Sequence, residues 1–316
     1  MTAVSENSVS APWPTRAAFP ILVLGFFGSQ ALLAICIAQG WFLPVVPLVL
    51  LVSHFMHGYL IAFHEAAHGL LRKNRILNEL DGIILGTTGL TSFTLYRALH
   101  QKHHAHLATE KDIELWPFVD PRCPLWKRRL AAFLELNFGL LYTPFLFWRL
   151  FFGAKSPIRS PKVRMRIWLE LAVGLAFWTT AGVLTAVFDL WPYLLLNYVV
   201  PAFIAGNLQS WRKYIEHVGL SGHSARSATR SIVADTWAGK LVSLTLLHEP
   251  LHGIHHIKSS LPHSELPSHT SWLEASDAGD LDPFPSYWAA FQHLLRNLPD
   301  PQVGRQWATA PSSAVS

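Results

Sequence analysis

Two long stretches of this chain, 17–71 and 167–211, carry no lysine or arginine. Each holds two apolar runs of roughly 20 residues, the length a helix needs to cross a bilayer. The first pair, Ala17 to Ala38 and Trp41 to Phe63, is joined at Gln39-Gly40. The second, Ile167 to Phe188 and Trp191 to Ser210, is joined at Asp189-Leu190. A chain patterned in this way is expected to be an all-α integral membrane protein with about four transmembrane helices in two hairpins. Composition agrees: 51% of residues are hydrophobic, only 14% are charged, and thirteen are Trp, a residue that favours the membrane–water boundary. The net charge of +5 does not point to nucleic acid, because the Lys and Arg gather beside the apolar spans, at 72–75, 127–129, 155–166 and 212–213. By the positive-inside rule these segments and both termini face the cytoplasm, in the inner membrane if the source is bacterial.

Two further apolar stretches are ambiguous. Ile76 to Tyr96 contains Asn78, Glu79 and Asp81, and Ala131 to Phe152 is punctuated by Glu135, Asn137, Pro144 and Arg149. Both are expected to lie at the interface or to be partly embedded, since a single extra crossing would separate the histidine clusters described next. Residues 1–16 and 301–316 read as disordered tails around one membrane domain, 17–300. The N-terminus lacks the basic start and short apolar core of a cleaved signal.

Seventeen histidines are distributed unevenly. His64 and His68 stand four apart in HEAAH, so on a continuing helix their imidazoles share a face about 6 Å apart along the axis. His100, His103 and His104 form H-x2-HH, and His252, His255 and His256 repeat that spacing within HEPLHGIHH. On a helix the first and last histidine of each triplet share a face while the adjacent pair diverges by about 100°. Each triplet can therefore serve two metals. Eight imidazoles exceed the demand of one ion, and an imidazole-rich site suits iron, zinc, copper or nickel rather than magnesium or calcium. Two cysteines without a CxxC supply neither a thiolate metal site nor a disulfide framework. These clusters sit at or beyond the helix ends, which disfavours a metal transporter with midplane ligands. HEAAH alone also fits the HExxH of a zinc protease with Glu65 as base, but such a site needs only three protein ligands and leaves the other clusters without a role.

HEAAH, HQKHH and HGIHH together, with HHAHLATEKDIEL after the second, resemble the three histidine boxes of the integral-membrane fatty acid desaturase and hydroxylase family, over roughly 53–267. That resemblance implies a cytoplasmic helical cap holding two iron ions, O2 as co-substrate, and hydrogen abstraction from an unactivated C–H bond of a lipid acyl chain. Loss of a second hydrogen gives a desaturase; oxygen rebound gives a hydroxylase or ketolase acting on an alkyl, lipid or carotenoid substrate. It also implies a ninth ligand after the later hairpin, which KYIEHVG assigns to His217 and which is especially similar to the membrane alkane hydroxylases. The family often has an Asn four residues before that histidine; here the residue is Lys213, so the Asn role does not transfer. The expected metal ligands are thus His64, His68, His100, His103, His104, His217, His252, His255 and His256. His248 and His106 flank the boxes, His57 is expected to line a cavity or hydrogen-bond rather than ligate, and Asp112, Glu114 and Glu216 either orient imidazoles or pair with surface cations. Neither an iron–sulfur cysteine set nor a haem domain is visible in the sequence, so an external ferredoxin- or reductase-type electron donor is expected.

Overall fold

A computed structural model describes residues 13–309, and among them there are helices and loops but no β-strand. Seven long helical segments carry the architecture: α1 (Ala18–Ala38), α2 (Val45–Ala67), α3 (Arg75–Thr88), α4 (Phe93–Ala105), α5 (Leu125–Phe152), α6 (Pro161–Val187) and α7 (191–217). The last is continuous but contains a π-helical turn at Leu195–Val199. Three shorter helices, α8 (Trp237–Thr245), α9 (His252–Ile257) and α10 (Tyr287–Asn297), belong to the C-terminal part.

The first hairpin is as expected, except that α2 runs on to Ala67 and so carries HEAAH on its last turn. Four helices are long and apolar enough to cross a membrane: α1, α2, α5 and α6. That group is defined by length and composition alone, and the expected second hairpin is present as α6 and α7, whose Trp178 and Tyr198 rings pack at 4.5 Å. The stretch 131–152, expected at the interface, lies inside the 28-residue α5. The run 191–210 lies within the continuous α7, which contains the π turn and ends in a polar segment. Both charges that interrupted α5 in the sequence have partners, Glu135 inside and Arg149 at the surface. Glu135 is buried, pairs with the Lys213 ammonium and accepts from the Tyr214 hydroxyl at 3.1 Å, while Arg149 stacks on Trp116. Helix α5 bends at Phe138, whose backbone leaves the helical region, and the freed Gly139 N–H donates to Asn207 Oδ1 at 2.9 Å. A side chain of α7 thus meets the cost of the kink.

Helices α3 and α4 form a hairpin that turns at 89–92. Trp178 of α6 donates to the Thr87 carbonyl at 2.9 Å and Tyr198 of α7 donates to that of Thr88, so the tip of the hairpin is held toward the turn between α6 and α7. Asn74 caps α3 and Ser92 caps α4. Buried Glu170 of α6 adds a second cap to α4, accepting from the Thr94 N–H at 2.9 Å and from the Ser92 and Thr94 hydroxyls at 2.6 Å each. A carboxylate at a helix N-terminus meets both the free N–H groups and the positive end of the dipole.

The expected C-terminal tail is shorter than 301–316. Residues 301–309 pack on the segment after α4: Val303 is fully buried and donates to the Phe118 carbonyl, Trp307 Nε1 donates to the same oxygen at 2.8 Å, and Arg128 lies over the Trp307 ring. Residues 1–12 and 310–316 lie outside the described part.

Helices α5 and α7 approach until their backbones touch. A Cβ on Gly206 would stand 2.6 Å from Leu140 N and 2.8 Å from its Cα, with no flexible side chain to yield. Gly206→Ala is therefore expected to destabilise the protein by about 1–3 kcal/mol through overpacking, read as a lower midpoint of thermal unfolding in detergent. Gly182→Ala on α6, where nothing lies within 4 Å, should leave the midpoint unchanged or raise it slightly.

Candidate metal centre

Three helices end at one level, and each bears histidine on its last turns. Helix α2 delivers His64 and His68, α4 delivers His100, His103 and His104, and α7 delivers His217. The partial negative charge at a helix C-terminus favours a cation, and here three such ends converge. The fourth contributor, α9 with His252, His255 and His256, is only six residues long and follows a 3-10 turn at Glu249–Leu251. Leu247 and His248, just before it, both adopt positive φ, 50° and 58°. Such backbone costs of order 1–3 kcal/mol per residue and persists only where its surroundings impose it.

The nine histidines fall into two neighbouring sets. His64, His68, His100, His104 and His255 bring five ring nitrogens within 4.8 Å of one another; His103, His217 and His256 do the same. His252 joins the second set through Nε2, 2.9 Å from His217 Nε2 and 3.0 Å from His256 Nε2. The His104 and His256 rings stack at 4.3 Å between the sets. Each H-x2-HH triplet is split as helical spacing dictates: His100 and His104 go one way and His103 the other; His252 and His256 one way and His255 the other.

The nitrogen separations carry chemical information. His68 to His100, His100 to His104 and His104 to His255 are 3.0, 3.1 and 3.1 Å between Nε2 atoms. Two ligands at right angles on a metal with bonds near 2.1 Å lie about 3.0 Å apart. Ordinary hydrogen bonding cannot satisfy this row. His100 gives its Nδ1 hydrogen to Glu114, 3.2 Å from either oxygen, which leaves Nε2 a bare lone pair in the neutral ring. His104 would then have to donate to His100 while also serving His255. A cation among the lone pairs resolves the conflict.

Acceptors behind the rings fix three more imidazoles in the same tautomer. His103 Nδ1 faces both oxygens of Asp112 at 2.9 and 3.0 Å, His252 Nδ1 faces Glu249 at 2.9 Å, and His217 Nδ1 faces the Ala228 carbonyl at 3.2 Å. Asp112 is itself held by the backbone N–H groups of Ala108, Glu114 and Leu115. Carboxylates behind ligand imidazoles orient them and raise their basicity. Burial, reinforced by the other imidazoles, lowers the pKa values of His100, His104, His255 and His256, and burial brings His252 to about 4 despite Glu249. These rings are neutral at pH 7, the form that binds metal. His103 differs: burial opposes its charged form, but Asp112 outweighs burial and raises its pKa.

Glu249 and Arg212 stand out in the structure but not in the sequence. Arg212 Nη1 donates to Glu216 at 2.6 and 2.7 Å and to Glu249 at 2.9 Å, with all three side chains buried. The only advance sign of Glu249 is its place three residues before His252. Glu216 turns from a surface candidate into Arg212's partner, 3.6 Å from His252 Nε2. Lys213, where the family often has Asn, pairs with Glu135 and lines a small cavity beside His103, His217 and His252. His248 points away from both sets toward the Ser243 hydroxyl, and His57 is buried on α2 two turns below His64. Glu65 of HEAAH is fully buried and accepts from the His263 backbone N–H. Its neighbours His64 and His68 share their set with three further imidazoles, more than a zinc protease site uses.

The separate carboxylates lead to a prediction. Asp112→Asn removes the charge behind His103 alone and should weaken metal binding at the set that contains His103 about 10–100-fold. Titration of metal into chelator-treated protein measures the loss.

The model of the family described as fatty acid desaturase matches residues 39–288, a span that includes all nine histidines. No curated protein matches the chain. With four membrane-length apolar helices, histidine sets able to hold metal and a family match over most of its length, the chain belongs to the fatty acid desaturase family.

Proposed function

We propose that this protein is a membrane-bound, O2-dependent di-iron oxidoreductase that introduces a double bond into a lipid acyl chain. Family membership supports a desaturase-type oxidoreductase. The observation that carries the finer reading is the pairing of a five-imidazole set with a four-imidazole set. All-imidazole donors with a carboxylate or carbonyl behind several rings fit divalent iron, and nothing in the donor set favours magnesium or calcium. Two iron ions so bound supply O2 reduction and hydrogen abstraction, which no side chain here can perform.

The rest of the chain supplies position. A cavity of about 450 Å³ lies among α1, α2, α3 and α7, lined by Phe19, Phe26, Met56, Tyr59 and Tyr198 and bordered by the exposed Phe27 and Ile84. That volume is in the usual range for small-molecule sites. Leu60, Gly89 and Leu140 are common to this cavity and a second one of about 80 Å³. Tyr96, Thr143, Phe147 and Gln209 are common to the second and the small cavity against the histidines. The series supports a route by which an alkyl chain leaves the bilayer, passes Leu60 and Gly89, and presents one C–H segment to the metal sets. The first two cavities are lined mainly by apolar side chains and the last by charged ones, and Asp112, Glu114 and Glu249 hold the imidazoles in place.

Desaturation removes two hydrogens from the chain and reduces O2 to two waters, with two protons and two electrons added. The electrons come from a separate ferredoxin- or reductase-type donor. The basic segments beside the spans support a cytoplasmic position for the histidine boxes and termini. The KYIEHVG segment makes hydroxylation the second reading.

Expression in a heterologous host followed by lipid mass spectrometry distinguishes them. A product two hydrogens lighter is expected with the wild type and none with His103→Ala; a product one oxygen heavier means hydroxylation, and an unchanged lipid profile contradicts both. Leu60→Phe narrows the passage between the first two cavities and should lower turnover of long chains several-fold with metal content unchanged. Unaltered turnover would exclude that route.

A further inference from the structure

We infer that Glu249 couples the two histidine sets, so that metal binding at one raises affinity at the other. The inference rests on reading both sets as metal sites. Glu249 Oε1 faces His252 Nδ1 at 2.9 Å, and Oε2 faces His64 Nδ1 at 3.4 Å. His64 belongs to the five-imidazole set and His252 to the four-imidazole set. The other orienting carboxylates each serve one set: Glu114 meets His100, and Asp112 meets His103. Among the described residues, Glu249 is the carboxylate in contact with imidazoles of both.

Its environment gives the carboxylate little freedom. Glu249 is buried, and Arg212 donates to Oε1, the oxygen that faces His252. Arg212 is anchored in turn on Glu216, whose neighbour is the His217 of the same set. The two positive-φ residues Leu247 and His248 deliver Glu249 to this position. By contrast His64 Nδ1 is buried and has no hydrogen-bond partner, its 3.4 Å approach to Glu249 being a contact rather than a formed hydrogen bond, so the His64 side of the bridge is the loose one. An ion in the four-imidazole set fixes His252 and, through the rigid carboxylate, fixes where His64 must put its Nδ1 hydrogen. The ordering of His64 is then already complete when the second ion arrives. Linkage makes the effect reciprocal: each ion raises the affinity of the other by the same factor.

Titrating Co2+ into the full chain, stripped by chelator and held in detergent, tests this by visible absorption and calorimetry. The wild type should bind two ions with a steeper isotherm than two independent sites allow. Glu249→Gln should lower affinity at both sites by about 10-fold or more and remove the cooperativity. Glu249→Asp keeps the charge beside Arg212 but is too short to span both rings, so it should bind two ions independently. That variant decides the question even if Glu249→Gln does not fold. Cooperative binding retained in Glu249→Asp, or loss confined to one site in Glu249→Gln, overturns the coupling. Failure of the wild type to bind two ions would instead overturn the reading of the sets as paired metal sites.

Discussion

Imidazole nitrogens packed about 3 Å apart without enough hydrogens to share repel one another, and burial removes the water that would otherwise separate them. Nine such rings are gathered here, four of them locked by an acceptor behind Nδ1 so that Nε2 presents a lone pair inward. Only a positive charge in their midst makes the arrangement favourable. Much of the remaining structure is explained by the need to sustain it. Three helix C-termini meet there, Arg212 balances two carboxylates, and strained backbone at Leu247 and His248 brings α9 into range.

The membrane helices are the means of holding that polar assembly at a fixed height. Apolar surface faces outward, while the charges that such helices cannot expose to lipid are paired inside: Glu135 with Lys213, Glu170 with the start of α4 and with Arg166. The same pairs align α4, α5, α6 and α7, so the helix carrying the second histidine box is positioned by contacts with α6 at its far end. Backbone contact at Gly139 and Gly206 brings α5 against α7 close to the route between the cavities. A single set of contacts thus serves both packing and access.

Much of this was legible in the sequence because it is local. Helical periodicity alone separates His100 and His104 from His103, and His252 and His256 from His255, and the structure arranges the rings in that way. The first hairpin follows from composition alone. What could not be read depends on partners far away in the chain. Glu249 looks like any residue between histidines until His64 and Arg212, 185 and 37 positions distant, are brought beside it. Glu135 and Arg149 argued against a buried helix because nothing local indicates that Lys213 and Trp116 receive them. His217 rests on a likeness of KYIEHVG to a family segment, since one isolated histidine has no periodicity to read. Val303 and Trp307 looked like tail because their hydrogen-bond partner, the Phe118 carbonyl, is 185 and 189 residues earlier.

Metal analysis combined with X-ray absorption on protein purified from iron-supplied cells addresses the central claim most directly. About two irons per chain are expected, with nearest neighbours that fit imidazole nitrogen at roughly 2.1 Å and no sulfur. One zinc per chain and no iron would contradict it.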